Sequence, residues 1–330
     1  MIETFYIEKE LLENKHVKQL TNRFAKAHQI VCENYREVFN RKGQNFRLQK
    51  HKPSFILAKK YGELLHPIPP SFSIGAKHNY YFSHFLNCPY DCNYCYLQAM
   101  LPSAHYVFFV NFDQFQEAIQ KKVDEVGLDT ITFYSGYDGD SLAMEPITHF
   151  CEEFLPFFAT LPPTAELEIR TKSVLTTPFM KTEPVPNVII AYTLNPDPIA
   201  RKFETNAPLV KARIDALCRV AERGWKIGLR FDPILDVVGS ENLYTDFFTD
   251  LFRKIPHESI HSITLGTFRL PKAMQKTMAQ LQRKDGLVIS EQRPEILFFC
   301  KHLLEKNFPK EKVFVCQEPS SSQAPALALV

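Results

Sequence analysis

"SHFLNCPYDCNYCYLQAM", residues 83–100, gathers Cys88, Cys92 and Cys95 as C-x3-C-x2-C, with Tyr94 and Tyr96 on either side of the third. The remaining cysteines, Cys32, Cys151, Cys218, Cys300 and Cys316, stand singly. The opening "MIETFYIEKELLENK" has acids where a secretory leader would be apolar, so the chain is expected in the cytoplasm. In a reducing compartment clustered thiols point to metal and isolated ones to core packing. A structural zinc closes with four protein ligands, and no fourth Cys or His follows at familiar spacing. His84, four residues upstream, would make an unusual knuckle. Three thiolates suit a [4Fe–4S] cluster in which one iron stays open to a ligand. Zinc, serving a non-catalytic nucleic-acid-binding module, is the alternative.

Around this motif the chain alternates. Beyond residue 76 the strand-like runs "TITFYSG", "ELEIRTKS", "NVIIAYTLN", "KIGLRFDPI" and "SITLGTFRL" are separated by helix-like segments such as "LVKARIDALCRVAERGW". Strand, helix, strand in succession predicts parallel β/α units and a partial barrel over 76–318, an α/β fold of (β/α)6 type. Upstream, Val17, Leu20, Phe24, Ala27, Val31, Tyr35 and Val38 recur at mostly three- and four-residue steps, which predicts an N-terminal helical extension over 1–75. The proline-rich "HPIPPSF" at 66–72 is a candidate linker, and the tail 319–330 is expected to be disordered.

In a barrel of this kind functional residues follow the strands. Those positions hold Ser135, Asp138 and Asp140, then Lys172 and Ser173, Thr193 and Asn195, Asp232 and Arg269. Lys172 at a strand end needs a partner for its ammonium, and a carboxylate ligand would supply one. Asp140 could instead cap the helix beginning near Ser141. Asp232 precedes Pro233 and could shape a turn; Arg213 could pair with Glu204.

C-x3-C-x2-C after the first strand of such a barrel resembles the radical S-adenosylmethionine enzymes. "CNYCYLQ", "EIRTKS", "AYTLNPDPIARKFETNAPLVKARIDAL", "GLRFDPIL" and "LGTFRLP", in this order, resemble the spore photoproduct lyase family over roughly 75–320. The resemblance implies a [4Fe–4S] cluster on Cys88, Cys92 and Cys95 and reductive cleavage of S-adenosylmethionine to a 5′-deoxyadenosyl radical. It also implies repair of a thymine dimer in DNA and an external one-electron donor such as a flavodoxin or ferredoxin. Lys172 and Thr193 would touch S-adenosylmethionine, with Asn195 and Asp232 nearby; Asp140 and Ser135, from their place on the rim, are further candidate cofactor contacts. Tyr94 and Tyr96 would relay the radical. The lyases carry a hydrogen-donating cysteine after the second barrel strand, where this chain has "FYSGYDGDSL". Tyr137 or Asp138 stands nearest that place, and Cys316 in "VFVCQEP" is the candidate thiol.

Formal net charge is only +2, so affinity for a polyanion must come from a local patch. Residues 41–60, "RKGQNFRLQKHKPSFILAKK", form one: they contain no carboxylate and interleave Phe46 and Phe55 with Lys and Arg. They are a candidate DNA contact or a solvated face. Apolar runs such as "VIIAY" fall short of the roughly 20 residues of a membrane helix, so no membrane partner is expected.

Overall fold

The computed structural model describes residues 2–268 and 294–316. Arg269 and the tail 319–330 lie outside them. The strands in chain order are β1 (Thr4–Glu8), β2 (His28–Cys32), β3 (Phe55–Ala58), β4 (His66–Pro67), β5 (His78–Tyr81), β6 (Phe85–Leu86), β7 (Asp91–Cys92) and β8 (Tyr106–Phe109). There follow β9 (Ile131–Ser135), β10 (Ala165–Thr171), β11 (Val188–Thr193), β12 (Glu204–Thr205), β13 (Lys226–Ile234), β14 (Ile260–Thr267) and β15 (Val313–Cys316).

The larger sheet runs β15-β14-β13-β11-β10-β9-β5-β4. From β5 to β15 every pairing is parallel, and β4 closes the end antiparallel to β5. All six β11 residues, "VIIAYT", are buried, as expected of a parallel strand covered on both faces. Helix Val210–Glu222 shows how the outer layer forms: Val210, Arg213, Ile214, Leu217, Val220 and Ala221 fall on one face and are buried.

The sheet curls. Ile68, Ile74, Tyr134 and Ile189 form one buried cluster to which Phe72, Tyr81, Tyr137 and Phe314 add, joining both ends of the strand order. Phe314 of β15 packs at 3.4 Å from where a Cβ on Gly75 would lie. The proline-rich stretch at 66–72 is therefore a strand and a short turn of helix built into the half-barrel.

Two charges are buried inside it. Glu168 of β10 and Arg230 of β13 are both fully buried and meet at 2.7 Å, with the guanidinium also donating to Ser262 Oγ at 2.9 Å. Gly228 makes the room: a Cβ there would stand 2.6 Å from Arg230 Nη2. Arg170 reaches Glu168 from the other side at 3.0 Å.

The N-terminal segment departs from the helical expectation. The helix covers Lys15–Arg23, whereas Val31 and Cys32 lie in β2. A five-stranded sheet, β2-β1-β3-β8-β6, draws strands from both sides of residue 75. The helical pattern continued past its true end because Phe24 and Ala27 pack on the core from irregular chain, while Val31 is 51% exposed. No helix among the described residues is long and apolar enough to cross a membrane.

Candidate functional site

The cysteine loop leaves the five-stranded sheet at β6. Asn87 turns it with φ 72°, a left-handed conformation that Asn tolerates better than most residues. Its side-chain amide donates to Ser103 O at 2.7 Å and His105 O at 2.6 Å. Downstream, β7 pairs antiparallel with β12, setting Cys92 opposite Glu204, and Asn93 N donates to Phe203 O at 2.7 Å. Cys95 N donates to Cys92 O at 3.0 Å and the chain enters helix Leu97–Met100.

All three thiols lie within electrostatic reach of one another, and none is disulfide-bonded. Burial pushes each up, Cys92 to about 12, while Lys172 beside Cys92 and Cys95 pulls the other way. Buried thiols held protonated in this way lose their protons to solvent when a metal binds them. The one carboxylate of the loop, Asp91, is engaged by Arg47 at 2.6 Å, leaving sulfur as its ligand chemistry. Among the described residues no three His, Cys, Asp or Glu side chains are gathered around a single ion. A cubane cluster presents a separate iron to each thiolate, and this all-sulfur donor set fits it.

Beside the loop, at the C-terminal ends of β10 and β11, lies a linked polar group. Lys172 Nζ sits 5.5 Å from the Tyr94 ring centroid. Burial opposes its charge, but Cys92 and Glu204 outweigh burial and hold its pKa up. The Tyr94 phenol donates to Glu204 Oε1, which also accepts from Asn195 Nδ2 at 3.1 Å. Glu204 Oε2 pairs with Arg213 Nη2 at 2.5 Å, both side chains buried, as the sequence suggested for this pair. Arg213 donates onward to Thr193 O at 3.2 Å, and Asn195 Oδ1 accepts from Tyr244 OH at 3.3 Å.

Asp140 ties this group to β9. Its Oδ1 accepts from Leu142 N, Ala143 N and Thr171 Oγ1 at 3.0, 2.9 and 2.6 Å, and its Oδ2 accepts from Lys172 N at 2.6 Å. No helix starts at Ser141: residues 141–144 are turn and the helix Glu145–Thr148 follows Met144, so Asp140 is not a helix cap but holds this turn and the Lys172 backbone. Ser135 is internal too, sharing a 2.8 Å hydrogen bond with Ser141 and donating to Glu168 O.

The remaining candidates form a second group. Tyr96 OH donates to Tyr137 O at 2.5 Å, and Tyr137 stacks on Tyr81 with centroids 4.2 Å apart. Arg170, Asp232 and Cys316 all lie within electrostatic reach of Tyr137, and Cys316 is buried. Asp138 accepts from Ser83 Oγ at 2.5 Å and faces Lys60. Asp232 sits with Arg170 and Tyr137, in this second group.

The profile of the spore photoproduct lyase family matches residues 73–313. The chain belongs to the spore photoproduct lyase family. It is 25% identical over 209 residues to the spore photoproduct lyase of Geobacillus sp. (strain Y412MC61) and 23% identical over 209 residues to that of Bacillus subtilis (strain 168). Each alignment spans 62% of this chain and 61% of the relative. In three dimensions it superposes on a spore photoproduct lyase double mutant with bound AdoMet and dinucleoside spore photoproduct, with TM-score 0.80 and 19% identity over 96% of this chain and 98% of that one. A spore photoproduct lyase complexed with the dinucleoside spore photoproduct gives TM-score 0.81 at the same identity and coverage. These superpositions establish the α/β fold with its curled eight-stranded half-barrel.

In this spore photoproduct lyase relative the basic segment faces largely inward. Lys60 is buried, 5.3 Å from the Phe109 ring centroid, and Arg47 and Lys50 bond to the cysteine loop. Lys52 pairs with Glu3 at 3.5 Å, and Lys59 lies over Tyr61. Arg41, Lys42 and Lys52 are exposed. Sequence reasoning missed Glu168 and Arg230, which are distant in the chain, Arg170 beside Glu168, and the inward turn of Arg47 and Lys50. Alternation in "ELEIRTK" was the available signal: Glu166, Glu168, Arg170 and Lys172 share one strand face.

Proposed function

We propose that this chain is a radical S-adenosylmethionine enzyme of the spore photoproduct lyase type, acting on a DNA base lesion, with a cross-linked thymine pair as its substrate. The observation that carries the reading is the meeting of Lys172 with Cys92 and Tyr94 at the barrel mouth, a cation beside an all-sulfur loop. Cys88, Cys92 and Cys95 would hold the [4Fe–4S] cluster; Lys172 would take the carboxylate of S-adenosylmethionine, with Thr193 at the neighbouring strand end. Bound together, cluster and S-adenosylmethionine supply one-electron cleavage of the sulfonium and a hydrogen-abstracting adenosyl radical.

The protein's own residues do the rest. Asp140, Ser135 and Asn195 act through the frame, since their polar atoms hold Lys172 N, Ser141 and Glu204. Tyr94 and Tyr96 would return the radical, each phenol passing on a hydrogen atom, and Glu204, already bonded to the Tyr94 phenol, would fix the direction of its O–H. Asp232 would hold Arg170 at the substrate side. Cys316 would give the product-forming hydrogen atom, in company with Tyr137. Cys316→Ala is expected to leave 5′-deoxyadenosine formation unchanged while diverting the repaired dinucleotide to adducts, read by chromatography; unchanged product would remove Cys316 from the reaction.

A lesion within duplex DNA has to be flipped out, at a cost of a few kcal/mol that damage lowers. With Lys50 and Lys60 turned inward, phosphate contacts fall to Arg41, Lys42 and Lys52. Replacing these three by Ala is expected to flatten the dependence of log K on log salt by about 0.9 per lost contact. An unchanged slope would make the segment a solvated face.

A second reading keeps the cofactors and changes the substrate. It is favoured by Tyr137 and Asp138 standing where the lyases have a cysteine, with Asp138 already bonded to Ser83. Anaerobic incubation with dinucleoside spore photoproduct, dithionite and S-adenosylmethionine separates the two. Thymine dinucleotide is the expected product; 5′-deoxyadenosine with the photoproduct intact would favour the second reading.

A further inference from the structure

Helix Phe46–His51 belongs to the N-terminal region, outside the half-barrel, yet its polar side chains end on the cysteine loop. Lys50 Nζ donates to Cys88 O and, at 3.1 Å, to Tyr90 O, bridging two carbonyls in the gap between the first and second cysteines. One turn earlier, Arg47 grips Asp91 through both guanidinium ends, at 2.6 and 3.0 Å, and reaches Gln98 Oε1 at 3.1 Å. Gln98 in turn donates to Cys92 O at 2.6 Å. Cys88, Asp91 and Cys92 are thus tied, directly or through one side chain, to two residues of one helical face.

The helix is itself anchored. Asn45 caps it by accepting from Leu48 N at 3.0 Å, and Phe46 is buried. Gln49 Oε1 accepts from Ser103 Oγ and Ala104 N, both at 3.0 Å, so the helix also holds the chain that leaves the loop. A three-cysteine loop with one short antiparallel contact to β12 has few hydrogen bonds of its own to fix its shape. These basic side chains supply them.

We propose that Lys50 and Arg47 are positioning residues that preset the cysteine loop for its cluster before any metal binds, and that this is the work of the core of the basic segment. The inference rests on the reading of Cys88, Cys92 and Cys95 as cluster ligands, but its test does not need the cluster. Charge-assisted hydrogen bonds of this kind are among the stronger ones, and losing one shifts a local opening equilibrium by about tenfold. Cation charge alone is not the agent; the two carbonyl bonds are.

The test uses the metal-free full chain and measures, peptide by peptide in a mass spectrometer, how fast Cys88, Cys92 and Cys95 are alkylated by iodoacetamide. Lys50→Met is expected to raise those rates about tenfold. Lys50→Arg, whose guanidinium can still donate to both carbonyls, should largely restore protection. Lys26→Met, which removes the same charge from an exposed position outside this helix, should leave the rates unchanged. Arg47→Lys, which loses the two-pronged grip on Asp91, should open the loop in the same direction and carries the test if Lys50→Met does not fold. In reconstituted protein, iron loss to a chelator should follow the same order of variants. Equal alkylation rates in wild type, Lys50→Met and Arg47→Lys would overturn the proposal, as would an effect of Lys26→Met as large as that of Lys50→Met. A chain that fails to cleave S-adenosylmethionine but shows this order of thiol protection would lose the radical reading and keep the brace.

Discussion

Replacing Cys92 by Ala is expected to abolish both the brown absorbance near 400 nm of iron–sulfur reconstituted protein and its cleavage of S-adenosylmethionine, the latter to background. Cys92 is the most constrained of the three: it sits in β7 opposite Glu204, its carbonyl is held by Gln98, and its thiol faces Lys172. Three thiolates are the whole protein ligation of such a cluster, so a remaining pair leaves a second iron, besides the open one, without a protein anchor. Cys88→Ala and Cys95→Ala should behave alike, whereas Cys151→Ala, a buried core residue of helix Phe150–Ala159, should keep full iron and activity. Iron and sulfide assays on the four variants check this; retained iron in Cys92→Ala would remove that residue from the ligand set.

The second large effect concerns stability. Glu168→Ala is expected to cost about 3–5 kcal/mol, because it leaves Arg230 buried without its carboxylate and takes a partner from Arg170. Burial alone would push the Glu168 carboxyl up, but Arg230 and Arg170 outweigh it and hold it at about 2, below its ordinary value of 4.5. A carboxylate depressed on folding stabilises fully above its unfolded pKa, and the gain is lost as pH falls from 4.5 toward 2. Denaturant unfolding of the wild type should therefore show stability falling through that acid window, and Glu168→Ala should lose that part of the slope. Identical acid profiles in the two proteins would refute this account of the pair.

The half-barrel was legible because buried parallel strands tend to continuous apolar runs, and "VIIAYT" cannot be mistaken for an amphipathic surface element. The N-terminal region was not. Its strands are short: β2 buries only Cys32, and β3 is an apolar run of just four residues inside a basic segment. The cluster loop was legible from cysteine spacing, and Arg213 with Glu204 from their closeness in the chain. Glu168 and Arg230, 62 residues apart, meet only through the strand order. The direction in which a lysine points was beyond composition: "RKGQNFRLQKHK" reads as one basic patch, yet Lys50 turns inward while Lys52 faces solvent.

The claim that joins these parts is that the C-x3-C-x2-C loop carries a radical-generating cluster, and one measurement bears on it most directly. Anaerobic reconstitution with iron and sulfide, then incubation with dithionite and S-adenosylmethionine and chromatography of the products, should give about four irons per chain and 5′-deoxyadenosine. Stoichiometric zinc without iron, or a full cluster with S-adenosylmethionine recovered intact, would contradict it.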